Sequence, residues 1–417
     1  MAEAVAVFLW SENSVGKLWF RSLNGRESAS FQYDPSWIDS PGNFALDPAL
    51  NLSAGTFHTQ NMSLFGALGD STPDRWGRTL MRRHEERQAR AAGKTPRTLT
   101  ELDFLLGIND EARQGALRFK IQDDGQFLSP SVSNAIPPLA ALPRLLSASE
   151  RFLDSKESDE DLWLLLAPGS SLGGARPKAS VYDSGDLSIA KFPRNNDEFK
   201  TTLWEALALT LAKKAGIQVP LWRIERALNK PVLILKRFDR QGQRRIPFLS
   251  AMSMLTARDN EQHSYLEIAY AIIQHGAEPM RDLEELWRRL IFNICISNTD
   301  DHLRNHGFLL SYPMDSNSPS EGDSPKGWRL SPAYDLNPVP RQTGSRFLSL
   351  AVDMVSREAS LETALSVIGE FRLKKEKALV ILDEVQRAVG GWQSTALSLG
   401  ISRRETDRMA SAFEAIN

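Results

Sequence analysis

The 417-residue sequence predicts an α+β fold in two lobes, with a β-rich N-terminal part and a mostly helical C-terminal part. Three observations carry this expectation. Strand-like alternation fills residues 4–33, strand patterns return between residues 180 and 238, and from about Met252 onward the apolar spacing is mostly helical. The length fits two or three domains of roughly 150 residues, or one large bilobal body. Hydrophobic residues make up 41% and charged residues 24%, enough apolar material for a packed core and too much for a disordered chain.

The elements follow in order. Ala4–Trp10 is apolar but short and is preceded by Glu3 instead of a basic segment, so it predicts a strand, not a signal peptide. Turn signals at Glu12-Asn13-Ser14 and Leu23-Asn24-Gly25 divide residues 4–33 into strands. Ser71-Thr72-Pro73-Asp74 predicts a helix start with a capping hydroxyl and proline in the first turn. The helix that follows carries Arg75, Arg78, Arg82, Arg83, Arg87 and Arg90, and a second runs from about Thr100 to Ile108. Residues 129–150, rich in serine and proline, predict a connection between domains. Beyond it come an acidic helix over Ser158–Leu166, strands at Ser180–Tyr182 and Leu187–Phe192, and a helix capped by Asn195–Asp197 and ended by Gly216. Strands at Val219–Arg226 and Pro231–Phe238 complete the first half, and a polar segment over 297–340 interrupts the helical second half.

Charge and cysteine content exclude several classes. Fifty basic residues against 52 acidic ones give a net charge of −2, so nucleic acid would be met only through a local basic patch. The arginine run from Arg75 to Arg97 and the cluster Arg372, Lys374, Lys375, Lys377 are such patches, or else solvated faces. The single cysteine, Cys295, excludes an internal disulfide and a cysteine-based zinc site. No apolar stretch approaches the roughly 18 residues that span a bilayer. A cytoplasmic chain without a membrane role is expected.

Chemistry concentrates in Ser297-Asn-Thr-Asp-Asp-His-Leu-Arg-Asn305. Asp300 and Asn305 have the D-x-x-x-x-N spacing of a protein-kinase catalytic loop, in which the aspartate accepts the hydroxyl proton and the asparagine holds Mg²⁺. Such a loop is followed by a hairpin and a second metal-binding aspartate. His306–Leu310 and Trp328–Leu330 fit the hairpin, and Asp335 in Ala333-Tyr-Asp-Leu-Asn stands where that aspartate is needed. Upstream, Gly173-Gly174 with Ser170, Ser171 and Lys178 supplies a backbone that phosphate oxygens can approach, although G-x-x-x-x-G-K-[ST] is absent. Lys191 ends Leu-Ser-Ile-Ala-Lys, similar to the V-A-I-K strand, and Glu205 on the next helix is its candidate ion-pair partner. The order of the pieces is that of a protein-kinase-like fold.

Each piece has a competing explanation. Gly-Gly beside serines serves as a turn, a strand-end lysine is often only solvated, and Asp335 in a Tyr-Asp-Leu-Asn-Pro turn can serve as a cap. Asp300, Asp301, His302 and His306 offer a transition-metal cluster as the alternative to Mg²⁺ chemistry.

Four segments resemble the HipA family, the kinase toxins of HipA–HipB toxin–antitoxin modules: Asp70-Ser-Thr-Pro-Asp-Arg-Trp-Gly-Arg78, Ser171-Leu-Gly-Gly-Ala-Arg-Pro-Lys178, Asn298-Thr-Asp-Asp-His-Leu-Arg-Asn305 and Leu330-Ser-Pro-Ala-Tyr-Asp335. The resemblance implies a serine/threonine kinase with an N-terminal subdomain (1–150), an ATP-binding small lobe (151–248) and a helical C-lobe (249–417). By motif, Asp300 is implied as catalytic base and Asn305 and Asp335 as Mg²⁺ ligands. His302 follows the base by two, where many protein kinases place a phosphate-contacting lysine. The nucleotide set implied is Ser171, Gly173, Gly174, Ala175, Arg176, Pro177, Lys178, Lys191, Lys236, Arg237, Phe238, His302, Leu303, Arg304, Asn305, Tyr334 and Asp335. Family members with an acidic residue where Lys236 stands would use a side-chain contact; here a backbone contact to adenine is implied. Ser171 matches an autophosphorylated serine. The implied partners are a HipB-like helix-turn-helix antitoxin, operator DNA reached only through that complex, and an aminoacyl-tRNA synthetase, often the glutamyl enzyme, as substrate. Two other functions compete, a catalytically silent co-repressor and a small-molecule kinase; no catalytic carboxylate is missing, and the Pro73–Arg78 segment has no use in the latter.

Overall fold

A computed structural model describes residues 3–10, 13–121, 125–128, 136–167, 174–312, 324–341 and 346–416. The chain divides into two compact units. Unit 1 comprises Met1–Asn195, Arg226–Leu249 and Tyr312–Pro325, and unit 2 comprises Asn196–Glu225, Ser250–Ser311 and Lys326–Asn417.

Unit 1 begins with an antiparallel sheet of β1 (Glu3–Leu9), β2 (Asn13–Leu23), β3 (Arg26–Tyr33), β4 (Thr56–His58) and β5 (Leu117–Lys120), in the order β4-β3-β2-β1-β5. The expected strand at the N-terminus is β1. The β2–β3 turn places Asn24 and Gly25 at φ 52° and 75°, the left-handed pair that two-residue hairpins require. Alternate residues such as Val5, Val7, Leu18, Phe20, Ala29, Phe31 and Tyr33 are buried.

The helix expected after Ser71 starts later, spanning Arg75–Ala91, and its cap is a carboxylate. Asp74 accepts a bond from Gly77 N at 2.8 Å, whereas the Ser71 and Thr72 hydroxyls donate to the carbonyls of Ala67 and Gly69. Proline therefore precedes the cap. Residues 129–150 are not a plain connection: Leu142–Leu153 is a helix, burying Leu142, Leu145, Leu146 and Phe152, with Pro143 tolerated because first-turn amides need no helical acceptor. The expected acidic helix spans Asp159–Leu166, and Ser158 closes a capping box with Asp161 at its start. Both helices pack on a sheet of β6 (Lys178–Asp183), β7 (Asp186–Lys191), β8 (Trp222–Ala227) and β9 (Lys230–Lys236), ordered β6-β7-β9-β8, through Ala179, Val181, Ala190, Val232 and Ile234.

Unit 2 is mainly helical. The Thr201–Lys214 helix ends at Gly216, as expected, but Lys200 occupies its N-cap; Asp197 instead accepts a bond from the Thr201 hydroxyl. At the centre lies Pro279–Cys295, whose Leu283, Leu286, Trp287, Leu290, Ile291 and Ile294 are fully buried. It is flanked by helices Tyr265–His275 and Lys375–Gly390. The expected hairpin is present as Gly307–Ser311 paired antiparallel with Gly327–Leu330. Among the described residues no helix is long and apolar enough to cross a membrane.

Candidate phosphotransfer site

The Ser297–Asn305 loop follows directly from the buried Pro279–Cys295 helix, so its start inherits the position of that helix. Ser297 takes φ 51°, turning the chain out of the helix, and its hydroxyl donates to Ala412 O at 2.7 Å. Asn298 Nδ2 donates to Asn293 Oδ1 at 3.1 Å. Asp300 is exposed, while Asp301 beside it is 2% exposed and points inward. Asp301 accepts from the Tyr265 hydroxyl and from His306 Nε2 at 2.8 Å. Asn293 Nδ2 donates to the same tyrosine oxygen at 3.1 Å. The network Asp301–Tyr265–Asn293–Asn298, with His306, fixes the loop from behind and leaves Asp300 facing outward.

Burial pushes the Asp301 carboxyl up, but the neighbouring His306 charge and bond and the Tyr265 hydroxyl outweigh it, holding it below the usual carboxylate value. The Tyr265 phenol is pushed well above its ordinary value by burial and by the adjacent Asp301 carboxylate.

The loop then closes on itself. A single 3₁₀ turn spans Leu303–Asn305, with Leu303 buried, and Asn305 Nδ2 donates to Asp300 O at 3.1 Å. That bond engages the Asn305 amide nitrogen, so a ligand at this side chain would meet its amide oxygen. Arg304 Nη1 donates to Asp259 at 2.6 Å, and its carbonyl accepts from the Tyr334 hydroxyl at 2.7 Å. Asp335 takes φ 60°, a left-handed conformation that costs a non-glycine residue about 1 kcal/mol or more. It is held there by Asn337, whose Nδ2 donates to Asp335 O at 3.1 Å and whose backbone N donates to Asn298 Oδ1 at 3.3 Å. Tyr334 and Asn337 thus staple the Asp335 turn to the two ends of the Asn298–Asn305 loop. Unit 2 therefore brings Asp300, His302, Leu303, Arg304, Asn305, Tyr334 and Asp335 into one constellation. The two hard oxygen donors, Asn305 and Asp335, fit Mg²⁺. The transition-metal alternative is not supported: Asp301 and His306 bond each other, and no group of three His, Cys, Asp or Glu among the described residues is arranged to hold a metal.

Unit 1 carries the residues expected at the nucleotide. Ser170, Ser171 and Gly173 lie outside the described residues; Gly174 is described, with φ 90°. Gly174 O accepts from Trp76 N at 3.3 Å, Ala175 O from Arg194 Nη2 at 2.6 Å, and Pro177 O from Phe192 N at 3.0 Å. Arg176 is exposed. Lys191 is half-buried at the end of β7 and stands directly opposite Lys178. Glu205, buried on its helix, belongs to unit 2.

Two side chains expected at the nucleotide are committed elsewhere. The Lys178 ammonium is 3% exposed and lies 2.6 Å from the buried Asp74 carboxylate. Arg237, also buried, forks onto Asp239 and donates to the carbonyls of Ala112 and Arg113 at 2.6 and 2.9 Å. Lys236 is half-exposed and pairs with Asp186 at 2.5 Å, while Phe238 packs near Phe248. Neither the Lys178 ammonium nor the Arg237 guanidinium is left for a ligand.

Part of the arginine run is neutralised within unit 1. Arg78 pairs with Glu101, Arg83 and Arg87 with Glu157, Arg87 also with Asp159, and Arg97 with Asp103 and Glu85. Arg75, Arg82 and Arg90 stay exposed. In unit 2, Lys377 pairs with Glu284 at 2.9 Å.

Comparison with known proteins follows this geometry. Residues 170–392 match the HipA-like C-terminal domain, and residues 5–120 match the HipA N-terminal domain. A Haemophilus influenzae protein named "Putative kinase" is 30% identical over 210 residues, covering 44% of this chain and 57% of the relative, so the matched part spans little more than half of that relative's length. A Sinorhizobium fredii protein, also named as a kinase of that standing, is 23% identical over 93% of this chain and 85% of its own. Among solved structures, HipA of Shewanella oneidensis, determined with HipB and its operator DNA, matches with a TM-score of 0.69 over 99% of this chain and 95% of that one, at 16% identity. That similarity shows the fold, which is kinase-like. Both domain matches bracket the segments built above, in order along the chain, and the chain belongs to the HipA family.

Proposed function

We propose that this chain is an ATP- and Mg²⁺-dependent serine/threonine protein kinase that acts as the toxin of a toxin–antitoxin pair. The observation that carries the reading is an exposed Asp300 on a loop whose neighbour, Asp301, is locked inward, with Asn305 and the Asp335 turn tied to the same loop. Phosphoryl transfer asks mainly for positioning and charge neutralisation, so a rigid loop with one outward carboxylate suits it. In this reading Asp300 accepts the proton of the acceptor hydroxyl and orients it. Asn305 and Asp335 hold Mg²⁺, which when bound neutralises phosphate charge. Lys191 and the backbone of Gly174–Lys178 face the phosphates, the Lys236–Phe238 backbone meets adenine, and His302 offers one imidazole donor.

The partner proposed is a HipB-like antitoxin, supported by the fold shared with a HipA determined beside HipB and operator DNA. Operator contact would come through that complex, since a net charge of −2 and the internally paired arginines leave the free chain little attraction for DNA. The substrate proposed is an aminoacyl-tRNA synthetase, the glutamyl enzyme first, and Ser171 is the proposed autophosphorylation site.

The test is incubation of the purified chain with Mg²⁺·ATP and a cell lysate, followed by phosphosite mapping. Wild type should phosphorylate a discrete protein target, and Asp300→Asn should lose about 10²–10⁴-fold in rate while still binding ATP. Full activity in Asp300→Asn would refute the assignment. In the same spectra, absence of phosphate from Ser171 and Ser170 of the active protein would refute autophosphorylation at this loop.

A further inference from the structure

The segment Pro73–Arg78 has no place in the phosphotransfer chemistry just described, yet its side chains are among the most committed in unit 1. Asp74 uses one carboxylate oxygen to cap the Arg75–Ala91 helix at Gly77 N, 2.8 Å, and the other to meet the Lys178 ammonium at 2.6 Å. Both charged groups of that pair are at most 4% exposed. Two residues on, Trp76 N donates to Gly174 O at 3.3 Å, and the Trp76 indole Nε1 donates to Lys178 O at 3.1 Å. The indole ring is buried, edge-on to Phe152 at 5.1 Å, within the core that includes Ala179, Val181 and Ala190. Arg78 holds the helix start in turn, donating to Pro73 O at 3.0 Å and pairing with Glu101.

These contacts fall on the two ends of one stretch, Gly174 and Lys178. They include a buried ion pair and an indole bond to a carbonyl. Lys178 and Lys191 stand opposite each other on β6 and β7, so their side chains leave the same face of the sheet. Asp74 neutralises Lys178, one of the two lysines on that face.

We infer that Asp74 and Trp76 are positioning residues for the Gly174–Lys178 stretch: through Lys178 and Gly174 they hold that stretch in the conformation that receives phosphate. The inference rests on the proposed kinase reading for its link to ATP, but not for the brace itself. Its chemistry is simple. A loop that presents backbone N–H groups to phosphate binds well only if it is ordered beforehand, since ordering it on binding subtracts from affinity. Trp76 and Asp74 supply that order from outside the loop.

Two variants test it in the full-length chain. Trp76→Phe keeps an aromatic ring in the core and removes the indole donor. Asp74→Asn keeps a good helix cap and removes the charge opposite Lys178. Hydrogen exchange across the peptide containing Ala175, Arg176 and Lys178 reads the brace directly, and initial rates against ATP concentration read its consequence. In Trp76→Phe, exchange of that peptide should accelerate at least about tenfold, while peptides from the Arg75–Ala91 helix change by less than about twofold. The KM for ATP should rise about tenfold, the loss of one bond to a buried carbonyl, with kcat at saturating ATP kept within about twofold. Asp74→Asn should show the same split with a larger rise. Unchanged exchange over 175–178 in a folded Trp76→Phe overturns the brace. A fall in kcat with unchanged KM overturns its link to nucleotide. If the wild type transfers no phosphate at all, the kinase reading fails, and the exchange result still decides whether Trp76 holds the loop.

Discussion

Replacing Asp301 with alanine tests whether the catalytic loop is built from its buried side. In the folded chain this carboxylate is 2% exposed and accepts two bonds, from Tyr265 and from His306. Truncation leaves both donors buried without an acceptor, and each unsatisfied group costs about 1–3 kcal/mol, so the expected loss is about 4 kcal/mol. Asp301→Asn, which retains one acceptor oxygen, should lose about half of that. The measurement is the urea midpoint of unfolding, with hydrogen exchange over residues 293–306 to place the loss in this loop. The dependence on pH has a definite sign. The Asp301 pKa is lowered in the folded state, so its contribution is present above the ordinary carboxylate value, near 4, and is lost as pH falls through the lower folded value. The gap between wild type and Asp301→Ala should therefore be full at pH 7 and narrow below about pH 4. Tyr265 works in the opposite direction: its raised pKa contributes stability below about pH 10 that is lost only as pH rises through the higher folded value. A midpoint and exchange pattern unchanged to within about 0.5 kcal/mol would refute the view that Asp301 orders the loop.

Other outcomes follow from the same geometry. Asp335→Ala should lose Mg²⁺-dependent ATP binding in calorimetry while keeping the fold, because a hard oxygen donor is gone; unchanged binding would return Asp335 to the role of a turn residue. Arg237→Lys should lower the unfolding free energy, read from urea melts, by about 3 kcal/mol or more, since one ammonium cannot serve Asp239 and the carbonyls of Ala112 and Arg113 together. Wild-type stability in that variant would contradict the fork seen here.

Much of this was legible in the sequence because the signals are local. Alternation defined the first strands, the acidic run marked the helix after Ser158, and the D-x-x-x-x-N spacing with a following hairpin singled out the loop and turn that carry Asp300, Asn305 and Asp335. What escaped depends on partners far along the chain. Nothing near Lys178 reveals Asp74, 104 residues upstream (178 − 74), so a lysine beside a glycine pair reads as a phosphate ligand. The Arg237 side chain is likewise committed to acceptors far upstream, the carbonyls of Ala112 and Arg113, which no local pattern announces. The Leu142–Leu153 helix was hidden by neighbouring serines and prolines, although Leu142, Leu145, Leu146 and Phe152 already had helical spacing. Tyr265 and Asn293 carried no motif at all. The available hint was Asp301 itself, a second carboxylate directly beside Asp300, which needs its own partner if both are not to face solvent.

The interleaving of the two units has a consequence for synthesis on the ribosome. β7 emerges with Lys191, but the strand it pairs with, β9, ends at Lys236, and the intervening chain builds the Thr201–Lys214 helix of unit 2. At about 5–20 residues per second, those 45 residues (236 − 191) take about 2–9 s to appear. Throughout that interval the nascent β6–β7 hairpin has an open edge, and Lys191 has no completed sheet to hold it. The β6-β7-β9-β8 sheet is therefore finished only after translation has begun unit 2, so a chain interrupted between these strands carries the N-terminal sheet without a completed second one.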